Sequence, residues 1–340
     1  MNINIVGHRY TELKANWHTM YEHIVNALYD LGHKTRVQSK VVLRNKLDHK
    51  KFIEGLKHTN DSVYIYNHAY LLELQQLGKF LGSDTIIMKP GAPSSNYFAL
   101  DRIGYACTSS ITYKKPYFED TPFEDLYGTE IPALIENKAN KWDNSHLRRT
   151  MVEKTPKLDD IPKDHILILG QVHHDETVTD FSFGDHVKKL AAVVDRIENS
   201  NLKNPLVIKM HPSFVGQSKG KGYDEFYKPL IDAWKEKHTV VLSMQSIHDF
   251  LPYSKIAVLE NSSAGIECLM HNVPIISYGY PEYHWVTFDM RHLPQLIWAI
   301  ENVSKWWDEK KSKSWLAWYL TRYMCHDFES TRRRLSELLQ

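Results

Sequence analysis

The sequence predicts an α/β protein of two doubly wound, Rossmann-like units followed by helices. Three observations carry that expectation. Short apolar runs alternate with stretches of helical periodicity, the pattern of a parallel sheet covered on both faces. The alternation occurs twice, on either side of a polar, proline-punctuated stretch from about 114 to 162. A last segment, from Leu293 onward, reads as helix throughout.

The first unit opens on the strand "NINIV" (2–6) and a loop, "GHRYTELKA". Next, "NWHTMYEHIVNALYDLGHK" sets Trp17, Met20, Tyr21, Ile24, Leu28 and Leu31 at helical spacing, with Gly32 closing the helix as its C′ glycine. "TRVQSK", "SVYIYNH" (62–68) and "TIIMKPG" (85–91) read as strands, with the helical "AYLLELQQLGKFLG" between the last two. Pro116, Pro122, Pro156 and Pro162 mark the irregular stretch, which sets the expected domain boundary near 150–163. The second unit repeats the plan. "HILILGQ", "PLVIKMHP", "TVVLS", "IAVLEN" and "VPIISYG" are its strands; "FGDHVKKLAAVVDRIENS", "YDEFYKPLIDAWKEK" and "SSAGIECLMHN" are its helices. The expected division is therefore 1–155, 156–300 and a helical 301–340 that packs back on the first unit. Two such units facing across a cleft, with C-terminal helices, describe the GT-B architecture. Flavodoxin-like two-domain binding proteins give a similar string, so fold by itself decides no function.

Composition narrows the classes. Of the 340 residues 42% are apolar and 24% charged, a folded globular balance long enough for two domains. The net charge of +1 supplies no overall field for nucleic acid or membrane. Cys107, Cys268 and Cys325 are far apart and odd in number, which fits a reducing compartment rather than a disulfide framework. "MNINIVGHRY" is too short and polar for a signal peptide, and no run approaches 18 apolar residues. The expected location is cytoplasmic, with the inner membrane surface as a candidate place of work.

Chemistry is expected outside the carboxyl ends of the strands. Three strand ends of the second unit are polar. "ILILGQVHHDET" delivers Gly170 and Gln171, with Asp175 four residues on, a carboxylate fit for a nucleophile, a general base or a helix cap. "PLVIKMHPSF" ends in Lys209, Met210, His211 and Pro212. Pro212 turns the chain out of the sheet, Lys209 can neutralise phosphate charge, and His211 can bond a phosphate or ribose oxygen. "IAVLENSSAGIECLM" ends its strand at Glu260. Asn261, Ser262 and Ser263 then precede a short helix with Gly265, which permits close backbone approach, and Glu267, which can reach ribose hydroxyls. Each feature alone is also what a turn or a capped helix supplies. Their recurrence at successive strand ends of one sheet favours a ligand site.

The ordered set "GQVHHDETV", "VIKMHPSF" and "VLENSSAGIECLMHNVPIISYGYPEYHWV" resembles the capsule-polysaccharide synthesis family, whose characterised members are Kdo transferases. The resemblance covers about 165–287 and extends weakly to "PGAPSSNYFALDRIGYACTSSI" (90–111). It implies a GT-B glycosyltransferase that uses a CMP-activated keto-sugar acid and no metal or other cofactor. Lys209, His211 and Pro212 would hold the cytidine monophosphate, Asn261, Ser262, Ser263 and Gly265 the phosphate, and Glu267 the ribose. Gln171 and Asp175 would face the sugar, with Asp175 as nucleophile or acid/base in the family's retaining chemistry. One departure stands out: Lys89-Pro90-Gly91 replaces a family segment that usually carries a carboxylate. Asp101 is a candidate substitute, and His8 and Arg9 are candidates for the acceptor side.

The expected acceptor is a capsule or lipopolysaccharide glycan. The alternative is a virus-type enzyme that glycosylates hydroxymethylated DNA bases, with "HLRRT", "SKGKGYDEFYK" and "STRRRL" as phosphate contacts. A second alternative is a non-catalytic sugar- or nucleotide-binding protein on the same fold.

Overall fold

The computed structural model describes residues 2–6, 15–38, 62–67, 84–139, 156–172, 175–179, 182, 184–211, 227–242 and 245–340. His8, Arg9, Pro212 and the helix expected at 69–82 lie outside them. The chain forms two compact units. The first is Met1–Lys114 with Trp318–Gln340, and the second is Lys115–Ala317.

The first unit holds strands β1 (Asn2–Val6), β2 (Lys34–Gln38), β3 (Ser62–Asn67), β4 (Asp84–Pro90) and β5 (Phe98–Asp101), and helix α1 (Ala15–Asp30). Met20, Tyr21, Ile24, Ala27 and Leu28 of α1 are buried against Ile3, Ile5, Val63, Ile65 and Ile86. The helix stops as expected. Gly32 sits at φ +76°, its N–H bonds the Tyr29 carbonyl, and the His33 N–H bonds the Leu28 carbonyl. This is a Schellman ending, which needs the left-handed conformation that glycine adopts without strain. Strands β1 to β4 are parallel; β5, which the sequence pattern did not show, runs antiparallel to β4.

In the second unit the sheet is parallel throughout. It holds β6 (His165–Leu169), β7 (Leu206–Lys209), β8 (Thr239–Val241), β9 (Ser254–Leu259), β10 (Ile275–Ser277) and β11 (Phe288–Asp289), in the order β11-β10-β9-β6-β7-β8. Between them run α2 (Glu176–Thr179), α3 (His186–Glu198), α4 (Lys228–Lys235) and α5 (Ala264–Met270). Helix α3 begins where Asp185 accepts the Lys188 N–H at 3.1 Å. Its buried stripe of Leu190, Val193, Val194 and Ile197 packs with Ile166, Ile168 and Ile208 from the sheet. Both units are doubly wound, and the fold is of the GT-B class.

The division falls at 114/115, not near 155, because residues 115–139 pack into the second unit although their composition is that of a linker. Phe118 is wholly buried, the Tyr127 hydroxyl bonds the Leu269 carbonyl at 3.0 Å, and His248 bonds the Ala139 carbonyl at 2.8 Å. His248 also meets His271 at 2.8 Å. Irregular burial of this kind leaves no period in the sequence.

The final segment is not one run of helix. Helices α6 (Gln295–Glu301), α7 (Val303–Trp306) and α8 (Glu309–Trp318) lead to a π-helical turn at Tyr319–Tyr323, a short strand β12 (Met324–Cys325) and helix α9 (Phe328–Leu338). β12 pairs antiparallel with β5, and α9 packs on α1. Arg332 pairs with Asp30, and the Arg334 Nε donates to the Leu100 carbonyl at 3.1 Å. From 318 onward the chain thus completes the first unit. No helix among the described residues is long and apolar enough to cross a membrane.

Candidate functional site at the carboxyl edge of the second sheet

The ladder fixes where the three polar strand ends lie. Leu169 pairs with Leu259 on one side and with Lys209 on the other. The residues leaving β6, β7 and β9 therefore emerge side by side at one edge. From β6 the chain winds outward through β7 and β8, then returns to the other side of β6 for β9, β10 and β11. The β6/β9 junction is the topological switch point, where open α/β sheets bind ligands.

At that junction Gln171 and Asn261 are locked to each other. The Gln171 Nε2 donates to Asn261 Oδ1 at 2.9 Å, and the Asn261 backbone N–H donates to Gln171 Oε1 at 3.0 Å. The Gln171 N–H donates to His186 Nε2 at 3.2 Å, and the Tyr227 hydroxyl donates to the Gln171 carbonyl at 3.3 Å. The remaining Asn261 donor, Nδ2, reaches the Thr177 carbonyl at 2.8 Å. Both side chains are thereby committed to protein partners. This revises the expectations that Gln171 faces the sugar and that Asn261 faces the phosphate: the two brace the frame of the site.

The next groups stand on that frame. Asp175 is exposed and sits in a turn closed by its own N–H to the Val172 carbonyl at 3.0 Å. Its Oδ1 accepts the Thr177 N–H at 2.9 Å and the Thr177 hydroxyl at 2.5 Å. Among the described residues its Oδ2 has no hydrogen-bond partner. The turn thus holds the carboxylate through one of its two oxygens.

Lys209, at the end of β7, is 6% exposed. Its ammonium lies 5.8 Å from the centre of the Phe250 ring. Burial lowers its pKa from 10.5 to about 8, and the Asp249 carboxylate offsets part of that. An anion docked here would relieve the burial penalty of the cation. His211, two residues on, is half-buried.

After Asn261, the Ser262 Oγ accepts the Ala264 N–H at 3.2 Å. The Ser262 carbonyl accepts the Gly265 N–H at 3.1 Å and the Tyr283 hydroxyl. Ser263 is half-buried and Glu267 is buried in the first turn of α5. Gly265 is required for a reason not anticipated. A Cβ there would overlap the Tyr283 ring, so the close neighbour is a tyrosine of the same unit and not a phosphate.

In the first unit, Asp101 is 1% exposed. Its Oδ1 accepts the Ile103 and Gly104 N–H groups at 2.8 and 3.2 Å. Its Oδ2 accepts the Ser110 N–H and hydroxyl at 3.0 and 2.5 Å and the Tyr323 hydroxyl at 3.0 Å. A carboxylate with that many donors organises its loop and anchors the returning segment; it has no oxygen to spare for an acceptor. Lys89 is also buried, with its ammonium 5.5 Å from the centre of the Tyr105 ring.

Beneath the switch point lies a buried polar group that the sequence did not single out. Glu260 is fully buried; one oxygen takes a hydrogen bond from His186 Nδ1 and the other takes the Lys189 ammonium and the Ser182 hydroxyl. Burial alone would raise the Glu260 carboxyl, but the donors from His186, Lys189 and Ser182 outweigh it and hold its pKa below the ordinary value. Glu260 was visible only as a charge at the end of an apolar run. His186 looks like any first residue of a helix.

The family model described as "Capsule polysaccharide biosynthesis protein" matches residues 121–295, an interval that contains every strand of this sheet. The chain belongs to that family. No curated protein sequence matches it. Among solved structures it is similar to the Thermosulfurimonas dismutans KpsC beta Kdo 2,4 transferase, with 15% identity, a TM-score of 0.56 and 98% of each chain covered. It is likewise similar to the beta Kdo 2,7 transferase of the same protein, with 14% identity and a TM-score of 0.51, covering 99% of this chain and 100% of that one. At such identities the likeness bears on the fold. The capsule-biosynthesis match spans all three polar strand ends.

Proposed function

We propose that this capsule-biosynthesis protein is a glycosyltransferase that moves a sugar from a nucleotide donor to a glycan hydroxyl, with a CMP-linked keto-sugar acid as the best-fitting donor. The observation that carries the reading is the presence, at the ends of two adjacent strands on one sheet edge, of a buried lysine and an exposed, half-anchored carboxylate. Lys209 meets the phosphate charge that grows as the nucleotide leaves, with His211 and the half-buried hydroxyls of Ser262 and Ser263 as further partners. Glu267 takes the ribose side.

In the retaining course, Asp175 Oδ2 attacks the anomeric carbon and the bond to the phosphate oxygen breaks, releasing the nucleotide. An acceptor hydroxyl then attacks the same carbon, the bond from that carbon to Asp175 breaks, and the hydroxyl proton passes to the departing carboxylate. No step draws on a metal ion. A glycan acceptor is favoured over DNA, because Arg332 and Arg334, two of the basic residues of 330–335, are engaged with Asp30 and the Leu100 carbonyl. The proposed place of work remains the cytoplasm.

Calorimetric titration with CMP, UDP and GDP tests the reading. CMP is expected to bind best, His211→Ala to weaken it, and Asp175→Asn to abolish transfer while leaving CMP affinity intact. No binding by any of the three nucleotides refutes the assignment.

A further inference from the structure

We infer that His186, held by Glu260, is a positioning residue for the transfer reaction: it fixes the peptide from which the Asp175 turn springs. The inference rests on the proposed function of this site.

The geometry determines the state of the imidazole. The Gln171 N–H points at His186 Nε2 at 3.2 Å, so Nε2 must offer a lone pair. The single proton of the neutral ring is then on Nδ1, where it donates to Glu260. Glu260 in turn is fixed by Lys189 and Ser182. The side chain of His186 is wholly buried, as is that of Glu260. Water therefore does not compete for either bond, and the ring cannot turn over without stranding a buried donor and a buried acceptor.

The chain of contacts leads to the reactive carboxylate in four steps. His186 orients the Gln171 peptide. Gln171 clamps Asn261, which holds the Thr177 carbonyl through Nδ2. Thr177 in turn aims Asp175 through its N–H and hydroxyl. Lys209 and His211, on the neighbouring strand, stand outside this chain. The arrangement separates two tasks: the His186 network places the attacking oxygen, while the β7 end grips the nucleotide. A misplacement of about 1 Å at the attacking atom costs on the order of a hundredfold in rate.

Two variants divide the imidazole's bonds. His186→Gln can still offer an oxygen to the Gln171 N–H. His186→Asn keeps a donor near Glu260 but leaves the Gln171 N–H without a partner. The expected result is a kcat within about fivefold of wild type for the glutamine variant. For the asparagine variant the expected kcat loss is on the order of a hundredfold. In both, CMP affinity stays within about threefold of the native value. Nitrogen-15 correlation spectra of the intact protein are expected to show His186 protonated on Nδ1 and bare on Nε2. Wild-type kcat in a folded His186→Asn protein, equal loss of CMP affinity and kcat in both variants, or a proton on Nε2 would each overturn the inference. If the native protein neither binds CMP nor transfers sugar, the reading of the site fails and the positioning role with it. The tautomer measurement then tells whether the hydrogen-bonded network itself stands.

Discussion

Lys209 gives the sharpest quantitative expectation. In the unfolded chain its amine titrates near 10.5, and burial in the fold brings it to about 8. At about 1.4 kcal/mol for each tenfold change in proton affinity, holding the charge in the empty site costs about 3 kcal/mol. The direction comes from proton counting. Between about pH 8 and 10.5 the unfolded state binds more protons than the native state, so stability rises with pH across that window. Below about 8 the full cost is present. A bound phosphate reverses the balance by pairing with the ammonium, so nucleotide affinity falls as pH climbs past 8. Because the second phosphate pKa lies near 6, the ligand's own charge is constant in this range. At pH 9.5 the free site is protonated in roughly one molecule in thirty, which weakens binding about thirtyfold, or about 2 kcal/mol. Calorimetry with CMP in buffers of different ionisation enthalpy reads both effects. At pH 8 about half a proton is taken up per nucleotide bound, and at pH 7 about a tenth. Lys209→Met is expected to remove the proton uptake and the pH dependence, to weaken CMP at pH 7, and to stabilise the empty protein. Affinity that is flat from pH 7 to 9.5, or the same decline in Lys209→Met, refutes the assignment of Lys209 to the phosphate.

Other expectations concern the frame. Gln171→Leu strands the Asn261 N–H and side-chain carbonyl in a buried place and should cost about 2–3 kcal/mol, read by denaturant unfolding. Gly265→Ala drives a methyl into the Tyr283 ring and should cost about 1–3 kcal/mol. Adding Tyr283→Leu should recover part of that loss, and strict additivity of the two changes would contradict the packing argument. Asp101→Ala leaves several buried donors in the first unit unanswered. It should cost more than about 4 kcal/mol, seen as an early unfolding step confined to that unit.

Much of this was legible because parallel strands buried on both faces read as continuous apolar runs. "HILIL", "LVIK" and "IAVL" were plain, and so were the polar residues at their ends. Their shared edge came from the doubly wound plan. What could not be read was which polar atoms face ligand and which face each other. Gln171 and Asn261 are ninety positions apart, and nothing local marks them as mutual partners. Gly265 invited a ligand explanation because glycine signals close approach without naming what approaches. His186 and Glu260 meet only through the crossover from β6 to β9. The short strand at Met324–Cys325 was hidden inside strong helical signals, because its partner, β5, lies far back in the sequence.

That remote pairing also bears on how the protein is made. Residues 115–317 form an uninterrupted stretch that can collapse as soon as it leaves the ribosome. The unit synthesised first must wait, its sheet lacking an edge strand and its first helix lacking its neighbour, until residues 318–340 have been translated. The first unit can therefore be completed only after every residue of the second has been synthesised.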